Sequence, residues 1–476
     1  MKTDNCNIRK LRICLLLALI AGVMLPEPAG VRAQDRTTKD DGTFTLQQAI
    51  SEAFIHNHRL RIQKIEEEKA ENRVSRGNAG QLPVVNLTGD LTWFYGDMEL
   101  TPGSFFEQLT MPADPGQQAP GGEGSSAMPT MSFDGMSATT AQTGVVAQYV
   151  IFDGFRGRNR YKLLETGSEL ARLQTTHALE ETVLHVTRAY LETAIIQENR
   201  TLMELTLAQG QDRYRTVSVR REYGHVSEQQ VLQAEADLKS DSVRYRDLLQ
   251  KHETAWRNLN AAIGWEEKAA MPLEVDGVLD YSLEYDQLLS SLYRNNTGLA
   301  LLERRLEAAE YEYKLARSAS MPVVSASARY GYNYMYATDG QFEKQDQLGF
   351  TGGLTVSIPL FTGGRNSTER ENARATIRQD ELRYEDAERA LRTHFDNTWS
   401  RYRHLVSELG TERSNLDVYQ RNYDRAKDSY VRGLITGIEL RSAQLALDAA
   451  QKRITELEMN IRLAVTTLFY LTGELI

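Results

Sequence analysis

The stretch VIFDGFRGRNR, residues 150–160, is matched later in the chain by PLFTGGRNSTER, residues 359–370. Phe361 follows Phe152 by 209 residues, and a glycine and an arginine after each phenylalanine keep this spacing. It persists downstream in the pairs Tyr214 and Tyr423, Gly224 and Gly433, Ala234 and Ala443, Leu259 and Leu468, and Gly264 and Gly473. Self-similarity at a fixed spacing indicates a repeated unit, so the sequence predicts two copies of one unit.

Upstream of these stretches the two copies match at a spacing of 239 residues. The matched segments are Asn57–Leu60 with Asn296–Leu299, QLPVV at 81–85 with SMPVV at 320–324, and Tyr95 with Tyr334. The larger spacing places an insertion of 30 residues (239 minus 209) in the first copy, between Tyr95 and Val150. Because the inserted residues are rich in Gly, Pro, Ser and Gln, we predict a long loop over about 96–142.

The same order of elements is predicted in both repeats, which cover 34–274 and 275–476. A proline ends the early helical run of each repeat and starts a strand, and Gly224 or Gly433 is expected to cap a very long helix. The first repeat has predicted strands at about 84–95 and 143–152 and predicted helices at 157–223 and 227–263. The second has predicted strands at about 323–336 and 349–361 and predicted helices at 366–432 and 436–471.

The predicted strands alternate between apolar and polar residues, as strands with two different faces do. The strand at 323–336 places four tyrosines on one face and Ser327, Arg329 and Asn333 on the other. Such strands suit a barrel that faces lipid outside and water inside, whereas the alternative is a soluble β-sandwich with one buried face. Closing a barrel takes about eight strands, so four strands predict a barrel shared between subunits.

The predicted helices carry a different period, and their length is unusual. The helix at 157–223 would extend on the order of 100 Å at about 1.5 Å per residue, which is more than a compact domain needs. The two shorter helical stretches of each copy have nearly the same summed length, so they are expected to stack end to end beside the long helix. A heptad seam predicts antiparallel coiled-coil packing; it comprises Leu440, Ala443, Leu447, Ala450, Ile454, Leu457, Ile461, Ala464 and Leu468.

Residues 1–33 are expected to be a signal peptide, with cleavage between Ala33 and Gln34. A basic start is followed by the apolar run ICLLLALIAGVML and the small-residue ending VRA. A permanent anchor is the alternative, but a run of about 13 residues is shorter than the roughly 20 that a membrane span needs. Cys6 and Cys14 both lie in this segment, so the mature chain is expected to have no thiol and no disulfide.

Several other functions are disfavoured by composition. The formal net charge is −10, and without a block of basic residues we expect no nucleic-acid partner. The scattered histidines and the absence of a nucleophile constellation predict that the protein is not an enzyme and has no cofactor or metal site. One alternative stays open for the insertion region, whose thioethers could bind Cu(I) instead of lying in a flexible loop; these are Met98, Met111, Met128, Met131 and Met136.

Several stretches of the sequence resemble those of a known family. The two stretches quoted first resemble the strand-to-helix junctions that TolC-like outer-membrane efflux proteins carry twice. YGHVSEQQVLQAEADL at 223–238 and RGLITGIELRSAQLAL at 432–447 resemble the two helix-to-helix tips of that family. The closing LFYLTGELI at 468–476 resembles the end of its last helix. The resemblance spans essentially the whole mature chain, and the recurrence of junction and tip at equal spacing makes it specific.

The resemblance implies a fold that is mainly α with β. Two repeats with long antiparallel coiled-coil helices would supply four transmembrane strands to a 12-stranded β-barrel, which a homotrimer forms in the lipid of the outer membrane. An α-helical tunnel would continue into the periplasm and meet a periplasmic adaptor and, through it, an inner-membrane transporter. The expected function is passive conduction of cargo in a tripartite efflux or type I secretion system, and the cargo itself is not encoded in any motif found here.

The resemblance also assigns roles to particular residues. Gly224 with His225 and Gly433 with Leu434 would lie at the tips that dock the adaptor. Tyr430 and Glu439 fall where the family has its pore-closing residues. Ile435 and Gln230 depart from the family pattern at this gate, since some members have an arginine at the former position and often an acidic residue at the latter. The rival hypothesis is a periplasmic coiled-coil adaptor or soluble interaction protein, which would share the helical hairpins.

Overall fold

The computed structural model describes residues 42–100, 131–274, 283–338 and 343–476. The predicted signal peptide, with its cleavage site between Ala33 and Gln34, lies outside these residues. Phe44–Ile476 forms one compact unit. Among the described residues, no helix is both long enough and apolar enough to cross a membrane.

Helices and strands occur in the same order in the two repeats. The first repeat contains helices α1 (Leu46–His56) and α2 (His58–Arg73), strands β1 (Val84–Leu100) and β2 (Met131–Phe152), and helices α3 (Arg156–Glu222) and α4 (Glu228–Ile263). The second contains helices α5 (Tyr285–Asn295) and α6 (Thr297–Ser318), strands β3 (Val323–Ala337) and β4 (Lys344–Ser357), and helices α7 (Arg365–Val431) and α8 (Gly437–Thr472). The bounds of the four longest helices lie within one residue of those predicted.

The strand-to-helix junctions turn in the same way in the two copies. Gly154 and Phe155 both have left-handed backbone angles (φ 68° and 66°), and so do Gly363 and Gly364 (φ 61° and 83°). A left-handed conformation costs glycine little but strains other residues, and Phe155 adopts it where the second copy has a glycine. The ring of Phe155 lies edge to face on Phe152, with centroids 5.4 Å apart, which helps to hold this turn.

The four strands form one antiparallel sheet in the order β1-β2-β3-β4. Residues in register share a face, so Leu87, Val145, Tyr330 and Phe350 form one row on the apolar side of the sheet. The neighbouring row, on the other side, contains Thr88 and three glycines. The predicted division into an apolar aromatic face and a polar face therefore runs across all four strands.

The predicted bounds of three strands are wrong. β1 and β2 continue beyond the predicted ends, so only 101–130 lie between them and not the predicted loop of 96–142. The apolar alternation fades near Tyr95, but backbone hydrogen bonding does not require apolar side chains and continues from Tyr95 opposite Ser137. β4 covers Lys344–Ser357 and not 349–361, since Pro359 has no N–H for the ladder.

The shorter helices stack end to end beside each long helix, and one asparagine joins them. The side-chain nitrogen of Asn57 donates to the carbonyl of Ala262 at the end of α4 (3.0 Å). Its oxygen accepts from the N–H of Leu60 in the first turn of α2 (3.2 Å). One amide thus satisfies a backbone group at each of two facing helix ends.

The second copy repeats this joint. Asn296 donates to the carbonyl of Leu471 in α8 (2.9 Å) and accepts from Leu299 in α6 (2.9 Å). Each joint also needs a glycine at the end of the incoming helix. A Cβ atom on Gly264 would lie 2.6 Å from the carbonyl oxygen of His56, and one on Gly473 would collide with the carbonyl oxygen of Asn295. The sequence match of Asn57–Leu60 with Asn296–Leu299 is therefore explained by the joint between stacked helices, which both repeats contain.

The apolar core lies near these joints. Tyr190, Leu259 and Ile263 belong to a cluster where α1, α3 and α4 meet, and the hydroxyl of Tyr190 donates to the carbonyl of Phe44 (2.6 Å). A second cluster contains Leu292, Phe395 and Leu468 from α5, α7 and α8. Tyr190 and Phe395 lie about halfway along α3 and α7, so the two repeats have their apolar clusters at the same level, near the middle of the long helices.

We expect Asn57→Ala to destabilise the protein by about 1–2 kcal/mol, because two helix ends lose their partner. Asn57→Asp separates the two contributions, since it keeps the acceptor for Leu60 but loses the donor to Ala262 and places a carboxylate at a helix C-terminus. The measurement is thermal unfolding of the detergent-solubilised protein by circular dichroism. If Asn57→Asp melts at the temperature of the unmodified chain, the joint does not depend on the bond to Ala262.

Candidate functional site

The helix-to-helix tips have the same construction in both repeats. The N–H groups of Gly224 and His225 donate to the carbonyls of Arg221 and Arg220 (both 2.9 Å), which closes α3 with a Schellman motif. Gly433 and Leu434 close α7 in the same way. The glycines have left-handed angles (φ 77° and 75°), so the turns require them.

Both tips then start the next helix with a capping box. The side chain of Gln230 accepts from the N–H of Ser227 (3.2 Å), and that of Glu439 accepts from the N–H of Thr436 (2.7 Å). Glu439 also accepts from the hydroxyl of Thr436 (2.9 Å). The backbone N–H of Thr436 and then its hydroxyl lower the pKa of the Glu439 carboxyl. Gln230 and Glu439, two of the residues considered for the gate, therefore already cap their own helices.

A cavity of about 630 Å³ lies between the two tips. Its wall includes five of the residues singled out in the sequence, namely His225, Gln230, Tyr430, Gly433 and Ile435. Gly224, Leu434 and Glu439 do not line it. The structure thus brings the two tips together, although they are separated by 209 residues, and leaves part of the predicted set outside the shared cavity.

Positively charged side chains mark this cavity. The guanidinium of Arg220 lies 5.5 Å from the centre of the Tyr430 ring, a cation–π distance that links α3 to α7. Arg213 and Arg432 also line the cavity, and Asp237 adds an acidic group. Tyr430 is therefore in contact with the other repeat, as a residue of a closing network would be.

Deeper along the hairpins, away from the tips, a layer of buried polar side chains joins α3, α4 and α8. Arg441 of α8 forms an ion pair with Asp241 of α4, and Asp241 has no solvent exposure. Gln444 accepts from Arg213 (3.0 Å) and donates to Gln209 (2.6 Å), both on α3. This polar layer (Gln209, Arg213, Asp241, Arg441 and Gln444) joins the two repeats below the tips.

The polar layer is only partly satisfied. One nitrogen of Arg213 bonds to Gln444, whereas its other two nitrogens and one oxygen of Asp241 are buried without a hydrogen-bond partner. Burial first, and the neighbouring charge of Arg441 second, lower the pKa of Arg213. Burial raises the pKa of the nearby Asp448 carboxyl, against the hydrogen bond from Thr206. Burying charged groups without a full set of hydrogen bonds costs free energy. A small shift of the helices would change which hydrogen bonds these groups make.

Asp241, Arg441 and Arg213 were not predicted from the sequence. A signal was present, because Val231, Ala234, Leu238, Tyr245 and Leu248 follow the heptad seam of α4 and Asp241 occupies the missing step between Leu238 and Tyr245. A charge on a coiled-coil seam is expected to be buried and to need a partner. The partner, 200 residues away, could not be identified without the fold.

Among the described residues, no group of three or more His, Cys, Asp or Glu side chains is placed to hold a metal ion. The side chains of Met98, Met131 and Met136, and all of Met111 and Met128, lie outside what the structure describes. The alternative of a Cu(I) site in the insertion therefore stays a hypothesis from the sequence.

Comparison with known proteins identifies the architecture. The model of the family described as outer membrane efflux protein matches residues 49–265 and 288–474. The outer membrane efflux protein BepC of Brucella suis is 22% identical over 337 residues, which cover 71% of this chain and 73% of that protein. This match favours the channel over the rival hypothesis of a soluble adaptor.

Solved structures show the same fold at low sequence identity. The CmeC outer membrane channel of Campylobacter jejuni superposes with a TM-score of 0.71 at 13% identity, covering 95% of this chain and 94% of that one. The outer membrane protein VceC of Vibrio cholerae gives a TM-score of 0.67 at 17% identity, covering 90% and 96%. The predicted fold class, with long helices and four strands in two repeats, is confirmed.

We expect Asp241→Ala to destabilise the protein by about 3–5 kcal/mol, because it leaves the Arg441 guanidinium buried without its carboxylate. Asp247→Ala is the matched control, since Asp247 is an exposed aspartate on the same helix and should change stability by less than about 0.5 kcal/mol. Thermal unfolding by circular dichroism measures both. Replacing the pair together, with Asp241→Leu and Arg441→Met, should recover much of the loss; a double variant as unstable as the single one would contradict the pairing.

Proposed function

This chain belongs to the outer membrane efflux protein family, and on that premise we propose that three copies assemble into one conduit through the outer membrane. As a member of this family it is an outer-membrane protein and a channel component of an efflux system.

The observation that carries the proposal is the four-stranded sheet with two different faces. Leu87, Leu91, Trp93 and Phe350 are all exposed on the apolar face, although each is large and hydrophobic. Exposed apolar side chains of this kind suit contact with lipid, and the opposite polar face suits a water-filled lumen. Four strands are too few to close around a lumen, whereas three copies would supply 12.

The helices would continue this conduit away from the membrane. α3 and α7 each contain 67 residues and rise on the order of 100 Å. With the end-to-end helices beside them, each subunit offers four helical columns for the wall of a tunnel. Transport through it needs no chemistry from this chain, so the protein is proposed to be a passive conduit and not an enzyme. The acidic balance of the whole chain would favour cations or neutral solutes in the tunnel.

The tips are the proposed contact with the rest of the export system. Gly224 with His225 and Gly433 with Leu434 stand at the ends of the hairpins, where a periplasmic adaptor would dock and connect the conduit to an inner-membrane transporter. Leu434 is 71% exposed, as an apolar docking residue would be before its partner binds. Opening would then proceed by small shifts of the tip helices that rearrange Tyr430, Glu439 and Gln230.

The test of this function is electron microscopy of the protein extracted from outer membranes in detergent, together with its mass. Rods well over 100 Å long, with about three times the mass of one subunit, are expected. Compact particles of one subunit in the soluble fraction would overturn the proposal, because one subunit cannot close a barrel.

Glu439→Ala is expected to raise the single-channel conductance modestly, if the carboxylate helps to close the tip. Because Glu439 also caps α8, Glu439→Gln is the informative control: glutamine keeps the capping box but removes the charge. Planar-bilayer recordings of both variants measure the effect. An increase in Glu439→Ala alone assigns the residue to helix capping, and no change in either variant removes it from the gate.

A further inference from the structure

One row on the polar face of the sheet consists of small side chains. Thr88, Gly144, Gly331 and Gly349 lie in register across β1 to β4. The central pair approaches closely, since a Cβ atom on Gly144 would lie 2.9 Å from the Cα of Gly331, and one on Gly331 would lie 2.6 Å from the carbonyl oxygen of Thr143. Only glycine fits where β2 and β3 come this close. The row forms a shallow depression in the polar face.

The side chain of Arg329 lies in this depression. A Cβ atom placed on Gly144 or on Gly331 would be 3.4 Å from its Nε, so the guanidinium crosses both glycines. The residue is half-buried, although it belongs to a single exposed sheet. One terminal nitrogen of Arg329 is fully buried and donates to nothing among the described residues, and the side-chain oxygen of Asn333, four residues further along β3, is buried without a donor. The charge is therefore held flat against the backbone.

Few other charged residues lie on the polar face of the sheet. Five rows of residues on the polar face join all four strands, and the charged side chains in them are Asp90 and Arg329. The two are in different rows and form no ion pair with each other. Lys344 and Asp346, which pair at 3.3 Å, lie on the opposite face with the tyrosines. Among the described residues, Arg329 therefore has no ion-pair partner, and its positive charge is not paired directly with Asp90 on the same face.

We propose that Arg329 is a selectivity-determining residue of the barrel: it provides a fixed positive charge on the lumen wall that favours the passage of small anions and of anionic groups on the cargo. The glycine pair lets the guanidinium lie flat, so the charge acts without narrowing the lumen. This inference rests on the proposed function, because only the assembled conduit has a lumen. It also predicts that the barrel prefers anions, whereas the acidic balance of the whole chain would favour cations or neutral solutes.

The first measurement is the reversal potential of single channels in a potassium chloride gradient. Arg329→Gln should lower the permeability of chloride relative to potassium by about twofold near 0.1 M salt, and by less near 1 M, because a Debye length of about 10 Å shrinks to about 3 Å. Arg329→Lys keeps the charge and should retain the ratio. Asp90→Asn is the opposite control and should raise the relative permeability of chloride.

Cysteine labelling tests the placement independently. Cys6 and Cys14 are the two cysteines of the sequence, so after both are changed to serine an introduced thiol is the single one. Arg329→Cys should react with a membrane-impermeant cationic methanethiosulfonate, and methanesulfinate leaves as the disulfide forms. The positive charge added by this reaction should restore the chloride permeability. Tyr330→Cys, one residue along but on the apolar face, should not react in membranes.

The outcomes separate the two proposals. Failure of every variant and of the unmodified protein to form channels would overturn the proposed function. Channels of normal conductance whose ion selectivity is the same with arginine and glutamine at 329 would overturn the role of Arg329 alone. Equal labelling at positions 329 and 330 would overturn its placement on the lumen wall.

Discussion

Each 67-residue helix must be supported along its whole length, and the other parts of the structure depend on this constraint. A single amphipathic helix of that length would expose its apolar stripe without a partner. Support comes from two shorter helices whose facing ends would otherwise leave backbone groups unsatisfied. Asn57 and Asn296 remove this cost by bonding to both ends, and Gly264 and Gly473 let the backbones approach. The strands are thereby held at one end of the column and the tips at the other.

The sequence was sufficient for features that depend on local rules. Glycines at 224 and 433 mark helix ends, alternation marks the strands, and the repeat of Asn57–Leu60 as Asn296–Leu299 marks the joint. Strand ends were less predictable, because β1 and β2 are extended by backbone pairing where the side chains no longer alternate. The ends of an antiparallel pair depend on the partner strand, which a pattern within one segment does not contain.

The site could be predicted only in part for a related reason. The tips were found because each is a local turn, but their shared cavity depends on how two hairpins 209 residues apart pack together. Asp241 was detectable as a charge on a seam, whereas its partner Arg441 was not, since Arg441 lies one residue off the seam of α8. Glu439 is a different case: a residue predicted for the gate also has a capping role, which its position three residues after Thr436 already indicated.

The contacts between helices change in character along the hairpins, and this change suits a conduit that opens at one end. Near the joints the contacts are apolar and fully packed, as around Tyr190 and Phe395. Towards the tips they become the polar layer around Asp241 and the contact between Arg220 and Tyr430. Apolar packing has one well-fitted arrangement and loses stability steeply when it is disturbed. Hydrogen bonds and ion pairs can be exchanged for others of similar strength, and the unpartnered nitrogens of Arg213 provide donors for such an exchange. The same hairpin can therefore be rigid at its base and have more than one arrangement at its tip.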